Sequence, residues 1–112
     1  MKYIFSGIFL YFFFGFFLYF FQRKIIFNTS QKPKPPSFYE LNNVKEVFIP
    51  TTDKINLLAW HYNGHESNPM LVYFHGNSFD IGERAYRIKK YINANWSVLL
   101  LAWRGFSGNE GN

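Results

Sequence analysis

The spacing of apolar and polar residues changes character several times along the chain. Tyr3 to Phe21 carries no charge over 19 residues. At helical rise this spans about 28 Å, close to the thickness of a bilayer's hydrocarbon core. Arg23 and Lys24 then end the run. The pattern predicts a transmembrane anchor over 3–22. Two other readings stand beside it, a cleaved signal peptide and a helix buried in a soluble core. A signal peptide has a shorter apolar region and a small-residue cleavage site, and QRKIIFNTSQKPKPP offers no such site.

Residues 23–43 read as a linker. Lys32-Pro33-Lys34-Pro35-Pro36 favours extended polyproline geometry, which would hold a following domain away from the bilayer. Its lysines suit anionic headgroups, and its prolines fit a proline-recognition module as a second use. Val44 to Pro50 and Ile55 to Tyr62 then read as a hairpin about Thr51-Thr52-Asp53-Lys54. Lys54 stands where a glycine would make the turn tight.

Leu71 to Phe74 is a short apolar run without alternation, the pattern of a strand covered on both faces. Asp80-Ile81-Gly82-Glu83 has the form of a capping box. Ile81, Ala85, Ile88 and Ile92 repeat at helical spacing, while Arg84, Arg87 and Lys90 fall on the other side. Asn93-Ala94-Asn95 breaks that helix, and Val98 to Trp103 is a second apolar run. Strand, helix and strand within about 30 residues predict a right-handed βαβ unit.

A strand ending in FHGN, followed by a helix and a strand ending in LLLAWRGFSGNEG, resembles the first half of an α/β-hydrolase. The similarity is to membrane-anchored serine hydrolases of the serine aminopeptidase-like superfamily, and it covers Val44 onward. It implies an α/β fold class: a transmembrane helix followed by an incomplete α/β-hydrolase sheet, made of an antiparallel hairpin plus one βαβ unit. Residues 44–112 would be a partial domain, truncated before the nucleophile elbow. Four strands and one helix are too few to cover a parallel pair on both faces. Gly108 to Asn112 would be a flexible loop.

Charge and composition narrow the function. The net charge is +5. Lys2, Arg23, Lys24, Lys32 and Lys34 supply the whole excess, because seven basic and seven acidic residues follow from Glu40 onward. Positive charge beside an apolar segment is a topology feature and not a nucleic-acid footprint, so no nucleic-acid partner is expected. The positive-inside rule favours a single-pass protein with a cytoplasmic domain. Cysteine is absent, which excludes disulfide and thiolate chemistry.

The resemblance also implies a chemistry. The family's nucleophile is a serine in a G-x-S-x-G elbow, followed in the chain by an acid and a histidine. No such elbow occurs. Gly76-Asn77-Ser78-Phe79-Asp80 and Gly105-Phe106-Ser107-Gly108-Asn109 are near misses, and both serines read as loop or turn residues. His75-Gly76-Asn77-Ser78 is the oxyanion-loop candidate, with Asn77 or Ser78 offering a backbone N–H and Gly76 allowing close approach. His75 precedes any nucleophile in the chain, so a structural role is expected of it. Arg104 and Gly105 match a structural turn near the site, with no acid identifiable as the partner of Arg104. His61 and His65 are four apart, a spacing that suits a metal only on a helix, and their segment reads as strand and turn. No metal and no cofactor are expected.

The expectation is therefore a hydrolase fragment for ester, thioester or amide bonds, inactive alone. Its partners would be the lipid bilayer and a complementing C-terminal hydrolase fragment. The alternative is a non-enzymatic membrane protein that binds a partner through its exposed sheet edge.

Overall fold

The computed structural model describes residues 1–29 and 31–111, except for the side chain of Lys2. Its elements are α1 (Lys2–Ile26), β1 (Lys45–Pro50), β2 (Asn56–Tyr62), β3 (Met70–Phe74), α2 (Ala85–Asn93) and β4 (Ser97–Leu101). Two 3-10 turns, Pro36–Tyr39 and Ile81–Arg84, precede β1 and α2.

Helix α1 meets the rest of the structure at its carboxyl end, where the Ile26 carbonyl accepts from the Asn77 side chain. Tyr3–Ile26 is long and apolar enough to cross a membrane, and none of its span is buried inside the structure. It is not a core helix of the described residues. Its rings meet one another instead, as in the pairs Phe16–Phe20 and Phe17–Phe21. The helix runs past position 22 and carries Arg23 and Lys24 in its last turn, where cations suit the negative end of the helix dipole.

The strands form one mixed sheet in the order β1-β2-β4-β3. β1 and β2 are antiparallel, as are β2 and β4, whereas β3 and β4 run parallel. This is an α/β arrangement with the expected hairpin and βαβ unit. The hairpin turn closes because Lys54 takes the left-handed conformation at φ 66°. Thr51 N–H reaches the Ile55 carbonyl at 2.8 Å, and Thr51 Oγ1 accepts from Ile55 N–H at 3.1 Å. A lysine thus does the work of the glycine the pattern asks for.

Helix α2 supplies the core on one face. Ile81, Ala85 and Ile88 are buried against Leu58, Trp60, Val98 and Leu100, and Ile92 is half-buried beside them. Asp80 caps the leading 3-10 turn, accepting from Gly82 N–H at 2.7 Å. A side-chain cap of this kind contributes about 1 kcal/mol.

Three expectations are corrected. β3 is not covered on both faces, because Met70, Val72 and Phe74 are about half exposed at 53%, 47% and 52%. α2 covers only one side of the sheet, so the run of apolar residues in β3 has no counterpart on the other. Second, the linker is a strap and not a free spacer. Pro33 and Pro36 are buried, the Tyr39 ring lies 5.5 Å from that of Trp60, and Leu41 and Val44 join the core. Proline rings bury apolar area at almost no side-chain entropy cost, which favours docking over projection. Third, the segment after Gly105 is folded onto the sheet, as described next; Asn112 lies outside the described residues.

Candidate functional site

Phe74 and Leu101 are register partners at the carboxyl ends of the parallel pair. The loops that follow β3 and β4 are therefore neighbours, and each holds the other.

His75 is the link between them. It is 4% exposed, packed edge-on to the Phe106 ring at 5.2 Å. Its Nε2 accepts from the backbone N–H of Trp103 at 3.1 Å, and the Trp103 indole N–H donates to the His75 carbonyl at 2.7 Å. An Nε2 acceptor puts the ring proton on Nδ1, and Nδ1 is buried without a hydrogen bond. Burial pushes the His75 pKa down, and the Arg84 guanidinium pushes the same way; the Gly76 backbone and Asp80 oppose them. A neutral, clamped imidazole facing Trp103 is a structural part, and no described hydroxyl is poised for it to deprotonate.

Asn77 and Ser78 point outward from this clamp. The Asn77 side-chain amide donates to the Ile26 carbonyl at the end of α1, at 3.1 Å. Ser78 forms an isolated parallel bridge with Asn28, and its carbonyl accepts from Arg84 Nη2 at 3.4 Å. Among the described residues, Ser78 Oγ makes a 3.4 Å contact with Asn77 Oδ1. A Cβ at Gly76 would meet nothing within 4 Å, so no described neighbour requires glycine there. Phe79 closes the loop at φ 64°, a conformation that bulky residues rarely adopt, and its ring is exposed. That strain was invisible in the residue pattern.

The loop after β4 is built from two successive turns. Phe106 N–H bonds to the Trp103 carbonyl at 3.2 Å with Gly105 at φ 69°, and Asn109 N–H bonds to the Phe106 carbonyl at 2.9 Å with Ser107 and Gly108 at φ 54° and 79°. A Cβ on Gly105 would lie 2.9 Å from the Gly111 carbonyl oxygen. Ser107 is 1% exposed and its Oγ accepts from Ile81 N–H at 3.0 Å. It anchors the start of the α2 segment. Asn109 accepts from Leu58 N–H at 2.9 Å and donates to the carbonyls of Ala102 and Trp103, both at 3.1 Å. One side chain thus ties β2 to the segment just past β4, which is why Gly108 to Gly111 is not a loose tail.

Arg104 has a partner after all. Its two terminal nitrogens sit 2.5 and 2.6 Å from the Asp53 carboxylate in the hairpin turn. The guanidinium, with help from Thr51, holds the Asp53 carboxyl well below the usual carboxylate range. The acid lies 51 residues away in sequence, so no local pattern could have revealed it. His61 lies on β2, and His65 lies in a turn with Nδ1 at 2.6 Å from Ser67 Oγ. Among the described residues no three metal-binding side chains converge.

Comparison with known proteins agrees with this architecture. No family model matches the chain. Two uncharacterized proteins of Mycobacterium tuberculosis, MT2364 and Rv2307c, are 30% identical over 92 residues, covering 80% of this chain and 33% of theirs. An uncharacterized protein of Acanthamoeba polyphaga mimivirus is 30% identical over 73 residues, covering 65% of this chain and 24% of its own. The chain spans about a third or less of the curated relatives it matches. Among solved structures it is similar to the Pyrococcus furiosus esterase Pf2001, with TM-score 0.58 and 17% identity over 77% of this chain and 34% of the esterase. The fold is hydrolase-like.

Proposed function

We propose that this chain is the anchor and amino-terminal portion of a membrane-bound α/β-hydrolase acting on ester, thioester or amide bonds, and that these residues alone do not turn over substrate. In this reading 3–22 is the single-pass anchor, 23–43 the basic linker and 44–112 the partial hydrolase domain on the cytoplasmic side. The observation that carries it is the β1-β2-β4-β3 sheet with the His75–Ser78 loop and the Arg104-Gly105 turn side by side at the ends of its parallel pair. Similarity of fold to an esterase supports it.

Asn77 or Ser78 then presents one backbone N–H to the oxygen that gains charge in a tetrahedral transition state, and the open side of Gly76 leaves room for that oxygen. The serine elbow, its histidine and the orienting acid come from a carboxyl-terminal hydrolase portion, contiguous or separate. One donor without a nucleophile does little. The test is hydrolysis of p-nitrophenyl butyrate by the purified chain, with Ser78→Ala and Ser107→Ala beside it. No turnover by the chain, and turnover on coexpression with a hydrolase portion bearing G-x-S-x-G, agrees with the proposal. Turnover by the chain alone that one serine variant abolishes refutes it.

A second reading is a non-enzymatic membrane protein that binds a partner along β3. The half-exposed Met70, Val72 and Phe74, and the unpaired outer edge of that strand, favour it. A stoichiometric partner lacking any hydrolase elbow would select it.

A further inference from the structure

A cavity of about 510 Å³ lies where the end of α1 meets the loop after β4. Arg23, Lys24 and Arg104 line it, with Phe27, Thr29 and Phe106. Its volume falls within the range of about 300–1,000 Å³ typical of small-ligand sites. No carboxylate lines it. Arg104 is neutralised by Asp53, but Arg23 and Lys24 have no ion pair among the described residues. Two uncompensated positive charges therefore face one concave space, beside an Arg104 fixed by its bidentate pair and a Thr29 hydroxyl.

We infer that this cavity binds the phosphate of an anionic lipid headgroup. The depth of the site points to a lipid. The uncharged run ends at Phe21, two residues before Arg23, so both cations sit just outside the hydrocarbon, at the level of phospholipid phosphates. Phe27 and Phe106 give the cavity an apolar wall for the glycerol and first methylenes. Arginine matches phosphate oxygens through paired N–H donors. The plainer account, that basic residues flank a membrane helix to set its topology, explains their presence but not their convergence with Arg104 and Thr29 on one cavity. Asn77 binds the Ile26 carbonyl, so the occupied cavity would abut the oxyanion-loop candidate. The inference depends on α1 lying in a bilayer and not on hydrolysis.

The test is native mass spectrometry of the full chain in dodecylmaltoside with dioleoyl phosphatidic acid or dioleoyl phosphatidylcholine. One phosphatidic acid per chain is expected to survive, with phosphatidylcholine retained about tenfold less. Arg23→Gln with Lys24→Gln lowers retention about tenfold or more, and Lys32→Gln with Lys34→Gln leaves it unchanged. Thr29→Trp keeps every charge but fills the cavity, so it abolishes retention while circular dichroism stays that of the parent; it decides the matter if the double variant fails to fold. Displacement by excess inorganic phosphate assigns the site to phosphate from either source, and resistance to displacement assigns it to the lipid-borne form. Equal retention of both lipids, equal loss in the Lys32/Lys34 variant, or full retention in Thr29→Trp overturns the proposal. Because no step reads hydrolysis, a failure here is separate from a failure of the hydrolase reading.

Discussion

The two loops at the carboxyl ends of β3 and β4 solve the same problem differently. The loop after β4 places glycines at three of its four left-handed positions, Gly105, Gly108 and Gly111, and buries the fourth, Ser107, in a hydrogen bond to the α2 segment. Asn109 then pins it to Leu58 of β2 and to Ala102, just past β4. The loop after β3 puts Phe79 in the left-handed region, and its Gly76 has open space where a side chain would go. Only His75 in it is buried, while Asn77 and Ser78 face outward toward the end of α1. One loop is a fastener and the other is a presented edge. The first loop meets its left-handed positions with glycine or a buried hydrogen bond, whereas the second leaves Phe79 in that region with an exposed ring.

The sharpest way to break this contrast is Asn109→Ala. It removes three hydrogen bonds and leaves the Leu58 N–H without its acceptor, so a loss of about 2–3 kcal/mol is expected. Urea unfolding of the full chain in dodecylmaltoside, followed by tryptophan fluorescence, measures it. A loss under about 0.5 kcal/mol, the size of an ordinary surface change, would mean that the loop is not a fastener. Gly105→Ala comes next, with a cost of about 1–2 kcal/mol from the left-handed backbone, before the close approach to the Gly111 carbonyl is counted. Phe79→Gly acts in the opposite direction. Relief of the same kind of strain, less the greater entropy of glycine in the unfolded chain, leaves a gain of about 0.5–1 kcal/mol. A loss there would show that the Phe79 ring is held by contacts worth more than its backbone strain.

The smallest effect is a pH dependence. His75 titrates below its ordinary value when folded, so between about pH 6.5 and its folded pKa the unfolded chain binds a proton that the folded chain does not. Stability should be level above that window and fall as pH drops through it, and His75→Gln should flatten the slope. The Asp53 carboxyl, also held low, acts in a separate window, with stability present above about pH 4 and lost at more acid pH. A slope near pH 6 that survives in His75→Gln would place the proton elsewhere.

Much of this was legible in the residues, and the reasons differ by region. Helical spacing found Ile81, Ala85 and Ile88 because one face of α2 meets one core. The uncharged run found α1 because its pattern needs no tertiary partner. The motif pair at Phe74–Ser78 and Trp103–Gly105 found two loops that the sheet makes neighbours. What escaped was the satisfaction of polar groups at a distance. Asp53 with Arg104, Ser107 with Ile81 and Asn109 with Leu58 are separated by 51, 26 and 51 residues. Apolar periodicity carries no record of such pairs. The strap escapes the pattern for a related reason: Pro33 and Pro36 look like spacer residues, and only the fold buries them and sets Tyr39 against Trp60.

The outer rim of β3 carries a wider consequence. Tethering by α1 would confine neighbouring copies to a plane and hold their rims at one height above it, which turns a three-dimensional search between copies into a lateral one. A strand with open main-chain donors and acceptors would then find another copy's strand far sooner than it would free in solution. Early capping of that rim by another segment or another chain would thus guard against such pairing between tethered copies.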